Sequence, residues 1–182
     1  MKAKILSLLR ELEKTSKQFW NISPETGAFL NTLIRDRDYT GVLEIGTSNG
    51  YSGIGLAEAL SHTGGKLHTI ESNFKKRYKL GQESFKKSGL NNITHISGHA
   101  PEDLPKTPRY FDLAFFDATK EEHLSYWEVL HKRIKKGGCI ITDNAVSHQK
   151  ALSPYIKAVK NTPNWETTLL QLGTGLLVST RI

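Results

Sequence analysis

Short apolar runs alternate with helical segments along most of this chain. The apolar runs, each about as long as one strand, lie at residues 41–46, 66–71, 93–97, 111–117 and 138–143. The segments between them carry helical patterns and lie at residues 51–61, 73–88, around 100–104 and 120–135. Strands that alternate with helices form βαβ units, whose parallel strands are covered by helices on both faces. The alternation therefore predicts an α/β fold with a doubly wound, mostly parallel sheet.

The two ends of the chain extend this core. Residues 3–19 place apolar side chains on one helical stripe, and a second helix opens with Ser23 as its N-cap and Pro24 at its first position. A helix near 151–160 leads to two strands around a glycine-containing turn, which predicts a C-terminal antiparallel hairpin. We expect a single domain over residues 1–182, with N-terminal helices at 1–38 and the α/β core at 41–182.

Composition places the chain in an ordinary globular class. Hydrophobic residues make up 37% of the 182 residues, and no apolar stretch approaches the roughly 18 residues of a membrane span. The apolar stretch near the N-terminus is too short for a secretory signal, so we expect a cytoplasmic protein with no membrane partner. Cys139 is the only cysteine, which excludes an intramolecular disulfide.

The net charge of +7 leaves two interpretations open. Basic residues concentrate at 73–80, 84–89 and 131–138. They are either solvated helix faces or a surface that attracts a polyanion such as RNA. The sequence has no aromatic-interleaved RNA-binding motif, so RNA is the less favoured partner.

Two of the apolar runs stop abruptly on a carboxylate. Asp117 ends the run 111–117, and Asp143 ends the run 138–143, where Asn144 follows at once. In a sheet of this kind, ligands bind outside the carboxyl ends of the strands, near the point where the strand order reverses. If these two strands are neighbours, both acids face the same crevice.

The loop EIGTSNGYS (44–52) follows the first strand and indicates a cofactor. It carries Gly46 and Gly50 but lacks the third glycine of the dinucleotide fingerprint, and Glu44 would repel a pyrophosphate. A carboxylate suits a cationic ligand such as S-adenosylmethionine, which has an ammonium, a sulfonium and no phosphate. Glu71 ends the second strand, where an acid can accept hydrogen bonds from ribose hydroxyls. The backbone at 99–100 could contact an adenine edge.

The sequence resembles the class I S-adenosylmethionine-dependent O-methyltransferases of the catechol O-methyltransferase type, including small bacterial members. The resemblance spans about residues 22–180 and rests on VLEIGTSNGYS, HTIE, GHAPEDLP, YFDLAFFDATK, GGCIITDNA and LGTGLLVS. It implies a seven-stranded Rossmann-like methyltransferase sheet that ends in an antiparallel hairpin. It also implies a divalent-metal-dependent enzyme that moves a methyl group from S-adenosylmethionine to a hydroxyl of a catechol-like small molecule.

The resemblance assigns roles to individual residues. The implied cofactor-binding residues are Glu44, Gly46, Ser48, Gly50, Ser52, Glu71, His99, Ala100 and Asp117. The implied ligands of Mg²⁺ or another divalent cation are Asp117, Asp143 and Asn144, and Lys120 matches the lysine that acts as base toward the acceptor hydroxyl. Two carboxylates and an amide oxygen are hard ligands, which independently suits Mg²⁺.

The acceptor side of the site departs from the family pattern. His123 stands where the family often has a tyrosine and could contact the acceptor, whereas Tyr126 matches the pattern and Trp20 could close one side. The segment after Asn144 is compact, which predicts an open site.

Three functions therefore stay open. The first is the small-molecule O-methyltransferase, the second is a tRNA-modifying O-methyltransferase acting on a hydroxylated uridine, and the third is a non-catalytic S-adenosylmethionine-binding protein. Because relatives are commonly dimers, the resemblance also implies a homodimer.

Overall fold

The structure is a computed structural model that describes residues 2–182, and it contains a seven-stranded sheet flanked by helices. The strands are β1 Gly41–Ile45, β2 Lys66–Glu71, β3 Ile93–Ser97, β4 Phe111–Phe116, β5 Ile134–Thr142, β6 Trp165–Leu170 and β7 Leu176–Arg181. The helices are α1 Ala3–Glu13, α2 Ser16–Phe19, α3 Pro24–Asp36, α4 Tyr51–Thr63, α5 Lys79–Ser88, α6 His123–Leu130 and α7 Gln149–Lys160. Within residues 2–182, no helix has the length and apolar character needed to cross a membrane.

The strand order confirms the predicted fold class. The order across the sheet is β3-β2-β1-β4-β5-β7-β6. The first five strands of the chain pair in parallel, whereas β7 runs antiparallel to both β5 and β6. The order reverses between β1 and β4, so a ligand crevice is expected at the carboxyl ends of those two strands.

The sheet is buried on both faces by two apolar layers. Val42 and Leu113 face the layer formed with α1, α3 and α4, while Leu43 and Ala114 face the layer formed with α6 and α7. All four side chains are inaccessible to solvent. Because both faces are covered, these strands form continuous apolar runs in the sequence rather than alternating ones.

The N-terminal segment differs from the single helix predicted over residues 3–19. It forms α1 and the short α2, with a break at Thr15, whose hydroxyl donates to the Leu12 carbonyl at 2.8 Å. Trp20 then adopts a left-handed backbone conformation with φ of 53°. Ser23 caps α3 as predicted, because its hydroxyl oxygen accepts from the Thr26 amide at 3.1 Å. The break turns the chain so that α2 and Trp20 approach the sheet edge that carries the predicted site.

The boundary between α6 and β5 was predicted wrongly. The helix expected over residues 120–135 is confined to α6, with one short 3₁₀ turn on each side, and β5 already begins at Ile134. Lys135, expected at a helix end, lies instead in β5, where its Nζ atom pairs with Asp112 Oδ1 at 2.7 Å. The pairing of β4 with β5 is irregular between Phe111 and Leu113. A contact between the neighbouring strands β4 and β5, whose residues are far apart in the sequence, therefore overrides the local helical pattern.

Two further helical segments also differ from expectation. Residues 100–104 form turns that lead into a 3₁₀ turn at Leu104–Lys106, rather than a short helix. The segment 73–88 begins with a wide π-helical turn at Phe74–Tyr78 and continues as α5.

Gly46 lies where the backbone leaving β1 passes close to the backbone leaving β4. It follows β1 directly and has φ of +102°, a conformation that side chains disfavour. A Cβ atom at this position would lie 2.2 Å from the backbone oxygen of Asp117. The approach therefore requires glycine on both conformational and steric grounds.

We expect Gly46→Ala to lower the free energy of unfolding by about 2–4 kcal/mol, because the methyl group meets backbone rather than a movable side chain. Gly55→Ala is the matched control, since a Cβ atom at Gly55 in α4 meets nothing within 4 Å. That control should leave stability unchanged or raise it by up to about 1 kcal/mol. Chemical denaturation of both variants measures the difference, and equal stabilities would contradict the close approach.

Candidate active site

A cavity of about 360 Å³ opens at the carboxyl ends of β1, β2 and β4. The residues predicted from the sequence that line it are Gly46, Ser48, Ser52, Glu71, His99, Ala100, Asp117, Lys120 and Asn144. Three other predicted residues, Glu44, Gly50 and Asp143, do not line the cavity. The structure thus brings most of the predicted residues together around one cavity, whereas these three do not contact it.

Glu44 lies beneath the cavity, with none of its surface exposed to solvent. Its Oε1 atom accepts from the Ser52 hydroxyl at 2.5 Å, and its Oε2 atom accepts from the Thr69 hydroxyl at 2.6 Å. Burial raises the pKa of Glu44 to about 7, and the carboxylates of Asp117 and Glu71 contribute further. Glu44 therefore does not reach the cavity itself; it contacts Ser52, and the side chain of Ser52 lines the cavity.

Glu71 is held at the end of β2 by two backbone amides. Its Oε2 atom accepts from the Ser48 N–H at 2.8 Å, and its Oε1 atom accepts from the Asn73 N–H at 2.8 Å. A carboxylate offers about four acceptor positions, so this side chain retains capacity for further donors. The geometry suits a vicinal diol such as that of a ribose, because both oxygens are fixed before a ligand arrives.

His99 joins a chain of polar groups on one wall of the cavity. Its Nδ1 atom lies 2.9 Å from Glu102 Oε2, and its Nε2 atom lies 3.2 Å from Glu122 Oε1. Tyr126 donates a short hydrogen bond to Glu122. The hydrogen bond with Glu102 raises the pKa of His99. The backbone N–H of His99, expected near an adenine edge, already donates to Asp103 Oδ2 at 2.8 Å.

Asp117 and Asp143 end neighbouring strands, as predicted. Each follows its strand directly, and the Asp143 N–H donates to the Phe116 carbonyl at 3.0 Å. Lys120 reaches back to Asp117, with its Nζ atom 3.1 Å from Asp117 Oδ1. The pKa of Asp117 lies above its usual value, mainly because the carboxyl group is buried. Lys120 partly offsets this rise, and the nearby Asp143 carboxylate adds to it. A second cation beside this pair would relieve the repulsion between the two carboxylates.

The side chains of Asp117, Asp143 and Asn144 suit a divalent cation by their chemistry. Two carboxylates and an amide oxygen form a hard donor set, and the remaining positions of an octahedron are typically filled by water and substrate oxygens. Within residues 2–182, no group of three or more histidine, cysteine, aspartate or glutamate side chains is close enough to hold a metal by itself. An amide oxygen such as that of Asn144 is the kind of neutral oxygen donor that completes sites with two carboxylates.

The mouth of the cavity carries contacts that the sequence did not reveal. The guanidinium of Arg77 lies 4.8 Å from the ring centre of Trp20, and the ammonium of Lys76 lies 5.9 Å from that of Phe19. The carbonyl of Phe19 accepts from the Ser48 hydroxyl at 3.0 Å. Trp20 closes one side, as expected, although 69% of its surface stays exposed. Trp20 and the basic run 73–80 are far apart in the sequence, and only the fold shows that they meet.

His123 does not contact the acceptor side, which corrects the sequence-based expectation. Its side chain is fully buried and packs edge-on against Phe116 and Tyr155 in the layer formed with α6 and α7. Burial lowers the pKa of His123 to about 3, so the ring is neutral. It serves as a core aromatic where α6 begins.

Replacing Glu44 with glutamine should change how stability depends on pH. The folded-state pKa of about 7 exceeds the ordinary value of 4.5, so folding binds a proton between these values, and stability falls as pH rises from 4.5 to 7. Glu44→Gln removes this loss, which has a slope of at most about 1.4 kcal/mol per pH unit. Urea denaturation across this range, without ligands, should show the variant gaining relative to the wild type as pH rises. Parallel curves would contradict the burial of a titrating carboxyl group.

Comparison with known sequences places the chain in a family. A model of the O-methyltransferase family matches residues 2–182. A caffeoyl-CoA O-methyltransferase from Medicago sativa is 30% identical over 203 residues, which covers 96% of this chain and 81% of that protein. Caffeoyl-CoA O-methyltransferase 1 from Arabidopsis thaliana is also 30% identical over 203 residues, covering 96% of this chain and 78% of that protein.

Solved structures share the fold. An O-methyltransferase from Bacillus cereus in complex with SAH (S-adenosylhomocysteine) has a TM-score of 0.85 at 22% identity, covering 100% of this chain and 92% of that chain. The O-methyltransferase TomG from Streptomyces achromogenes, in complex with SAM, has a TM-score of 0.82 at 23% identity, covering 100% and 90%. With the family match over residues 2–182, this chain belongs to the O-methyltransferase family and is an S-adenosylmethionine-dependent O-methyltransferase.

Proposed function

We propose that this enzyme depends on a divalent cation and methylates a hydroxyl of a catechol-like small molecule. The observation that carries the proposal is that Asp117, Lys120 and Asn144 line the cavity together, while Asp143 follows the neighbouring strand β5 directly and precedes Asn144. The caffeoyl-CoA relatives support it, because a caffeoyl group carries two vicinal hydroxyls on an aromatic ring. Two adjacent hydroxyls could share one cation.

The cofactor end of the cavity would be formed by the β1–α4 loop and the end of β2. S-adenosylmethionine supplies a methyl group on a sulfonium, and the carboxylates of Glu44, Glu71 and Asp117 create a negative field that favours such a cation. Each oxygen of Glu71 already accepts one backbone N–H and has a second acceptor position. These remaining positions would accept hydrogen bonds from the ribose hydroxyls. The hydrogen bond from Ser52 to Glu44 would fix the orientation of the Ser52 hydroxyl in the cavity wall.

At the acceptor end, Asp117, Asp143 and Asn144 would hold the cation. When bound, a divalent cation acts as a Lewis acid that favours ionisation of the acceptor hydroxyl. Lys120 would act from its neutral amine form: Nζ would take the hydroxyl proton, and the resulting ammonium would later release a proton to solvent. Its Nζ atom now lies 3.1 Å from Asp117 Oδ1, so the side chain would turn from this carboxylate toward the acceptor hydroxyl. Much of the rate enhancement would come from holding the acceptor oxygen in line with the methyl group.

A larger acceptor is the second candidate, and the rim of the cavity favours it. Trp20 exposes 69% of its surface at the rim, with the Arg77 guanidinium 4.8 Å from its ring centre, and Phe74, which is 59% exposed, precedes Arg77 by three residues in the chain. Exposed aromatic rings among basic residues can stack bases and bind phosphates of a single-stranded nucleic acid. A hydroxylated uridine in tRNA would then enter the cavity, and binding would weaken steeply as salt is added.

Transfer of labelled methyl from S-adenosylmethionine tests the proposal. We expect transfer to a pool of catechol-type acceptors with Mg²⁺, and loss of transfer with EDTA or with Asp143→Ala. Asp36→Ala, at the exposed end of α3, is the control and should retain activity. Transfer that persists in EDTA would contradict the metal dependence. Transfer to hypomodified tRNA alone, with a steep salt dependence, would favour the second candidate.

The role of Lys120 leads to a separate prediction. Lys120→Met keeps an unbranched apolar stem but removes the terminal nitrogen that would accept the proton, so kcat should fall by about 10²–10⁴-fold. Affinity for S-adenosylhomocysteine, measured by calorimetry, should stay close to that of the wild type because Lys120 lies at the acceptor end. A kcat within about twofold of the wild type would rule out a base role for this residue.

A further inference from the structure

The hydroxyl of Thr174 bridges the two side chains that follow β5. It donates to Asp143 Oδ1 at 2.6 Å and accepts from Asn144 Nδ2 at 3.0 Å. Thr174 lies in the turn between β6 and β7, thirty-one residues beyond Asp143 in the sequence. Within residues 2–182, no other side-chain hydrogen bond to either of these two side chains is found.

The topology of the sheet explains why this turn reaches the site. Because β7 runs antiparallel to β5, the start of β7 lies beside the carboxyl end of β5, with Thr142 opposite Leu177. A parallel strand at this position would begin beside the amino end of β5, away from the site. The antiparallel hairpin therefore places its turn against residues 143–148.

Backbone hydrogen bonds fix the turn in that place. The Ala145 N–H donates to the Gly175 carbonyl at 2.9 Å, and the Val146 and Ser147 amides donate to the Thr174 carbonyl at 3.2 and 3.1 Å. Gly175 has φ of +92°, and a Cβ atom there would lie 2.7 Å from the Val146 nitrogen. The position of the Thr174 hydroxyl is thus set by main-chain contacts, although its side chain is exposed.

The donor and acceptor roles in these two hydrogen bonds determine which way the amide of Asn144 points. A hydroxyl has one hydrogen, and Thr174 uses it toward the Asp143 carboxylate. It can therefore only accept from Asn144, and the group that donates is the NH₂ of the amide. The amide oxygen of Asn144 is left directed away from Thr174, as a metal ligand requires.

We propose that Thr174 is a positioning residue for a divalent cation, because its hydroxyl orients the Asp143 carboxylate and the Asn144 amide oxygen together. The inference rests on the metal site of the proposed function. The inference extends the site to the C-terminal hairpin, whose β6–β7 turn contributes the Thr174 hydroxyl. Partners of metal ligands typically change affinity by about 10–100-fold when they are removed.

Titration of the full chain with Mn²⁺, with free ion followed by electron paramagnetic resonance, tests this. We expect Thr174→Val, which keeps the shape but removes the hydroxyl, to weaken Mn²⁺ binding by about 10–100-fold. Thr174→Ser should restore binding to nearly the wild-type level. Thr168→Val makes the same change on exposed β6 of the same hairpin and should leave binding unchanged. Thr174→Ala serves as a second variant without the hydroxyl.

The outcomes separate the two proposals. Wild-type binding that Asp143→Ala abolishes supports the metal site, and unchanged affinity in Thr174→Val would then overturn only the role of Thr174. Equal weakening in Thr174→Ser and Thr174→Val would also overturn it, since the hydroxyl would not be the operative group. Wild-type protein that binds no Mn²⁺ would overturn both. Thr174→Val should also unfold at a somewhat lower temperature, because the buried Asp143 carboxylate loses its side-chain hydrogen bond. Mn²⁺ affinity is therefore measured well below that temperature, where every variant is folded, and a folded Thr174→Val with wild-type affinity would show that the role of Thr174 is purely structural.

Discussion

The close approach of the Gly46 and Asp117 backbones, at the point where strand order reverses, governs the arrangement of the whole site. Beyond the strands themselves, the Gly46 N–H donates to Ile70, the Asp117 N–H to Ile45 and the Asp143 N–H to Phe116. Each hydrogen bond carries the ladder one residue past a strand end. The residues that begin the loops are therefore held by the sheet, and the acids at these positions keep their spacing without support from a ligand.

Electrostatics explain why such a site lies in a protein with a net charge of +7. Carboxylates gather at one edge of the sheet, where Glu44 is fully buried and Asp117 is largely so. Burial of these groups disfavours their ionised forms and lowers the stability of the folded protein at neutral pH. The same field favours a sulfonium and a divalent cation. Among the basic residues, Arg77 lies at the rim over the ring of Trp20, and there its positive charge faces ligands that approach from solvent.

Sequence patterns predicted the parts that depend on local order and strand topology. Alternation of strands and helices was enough for the fold class, and an acid at the end of each of two neighbouring strands was enough to bring Asp117 and Asp143 together. Side-chain direction was not predictable, because it depends on packing between distant elements. This explains why Glu44 lies behind Ser52, why His123 lies in the core, and why the bridge from Thr174 was missed. The early start of β5 was not predictable for the same reason, since it depends on pairing with β4, where Asp112 meets Lys135.

The central claim is that Asp117, Asp143 and Asn144 hold a divalent cation beside the methyl donor. Anomalous diffraction from crystals grown with Mn²⁺ and S-adenosylhomocysteine tests it most directly. The account predicts one strong anomalous peak bounded by oxygens of these three side chains, with S-adenosylhomocysteine lying between the β1–α4 loop and Glu71. Density for S-adenosylhomocysteine in the cavity, with no anomalous peak at these side chains, would contradict it.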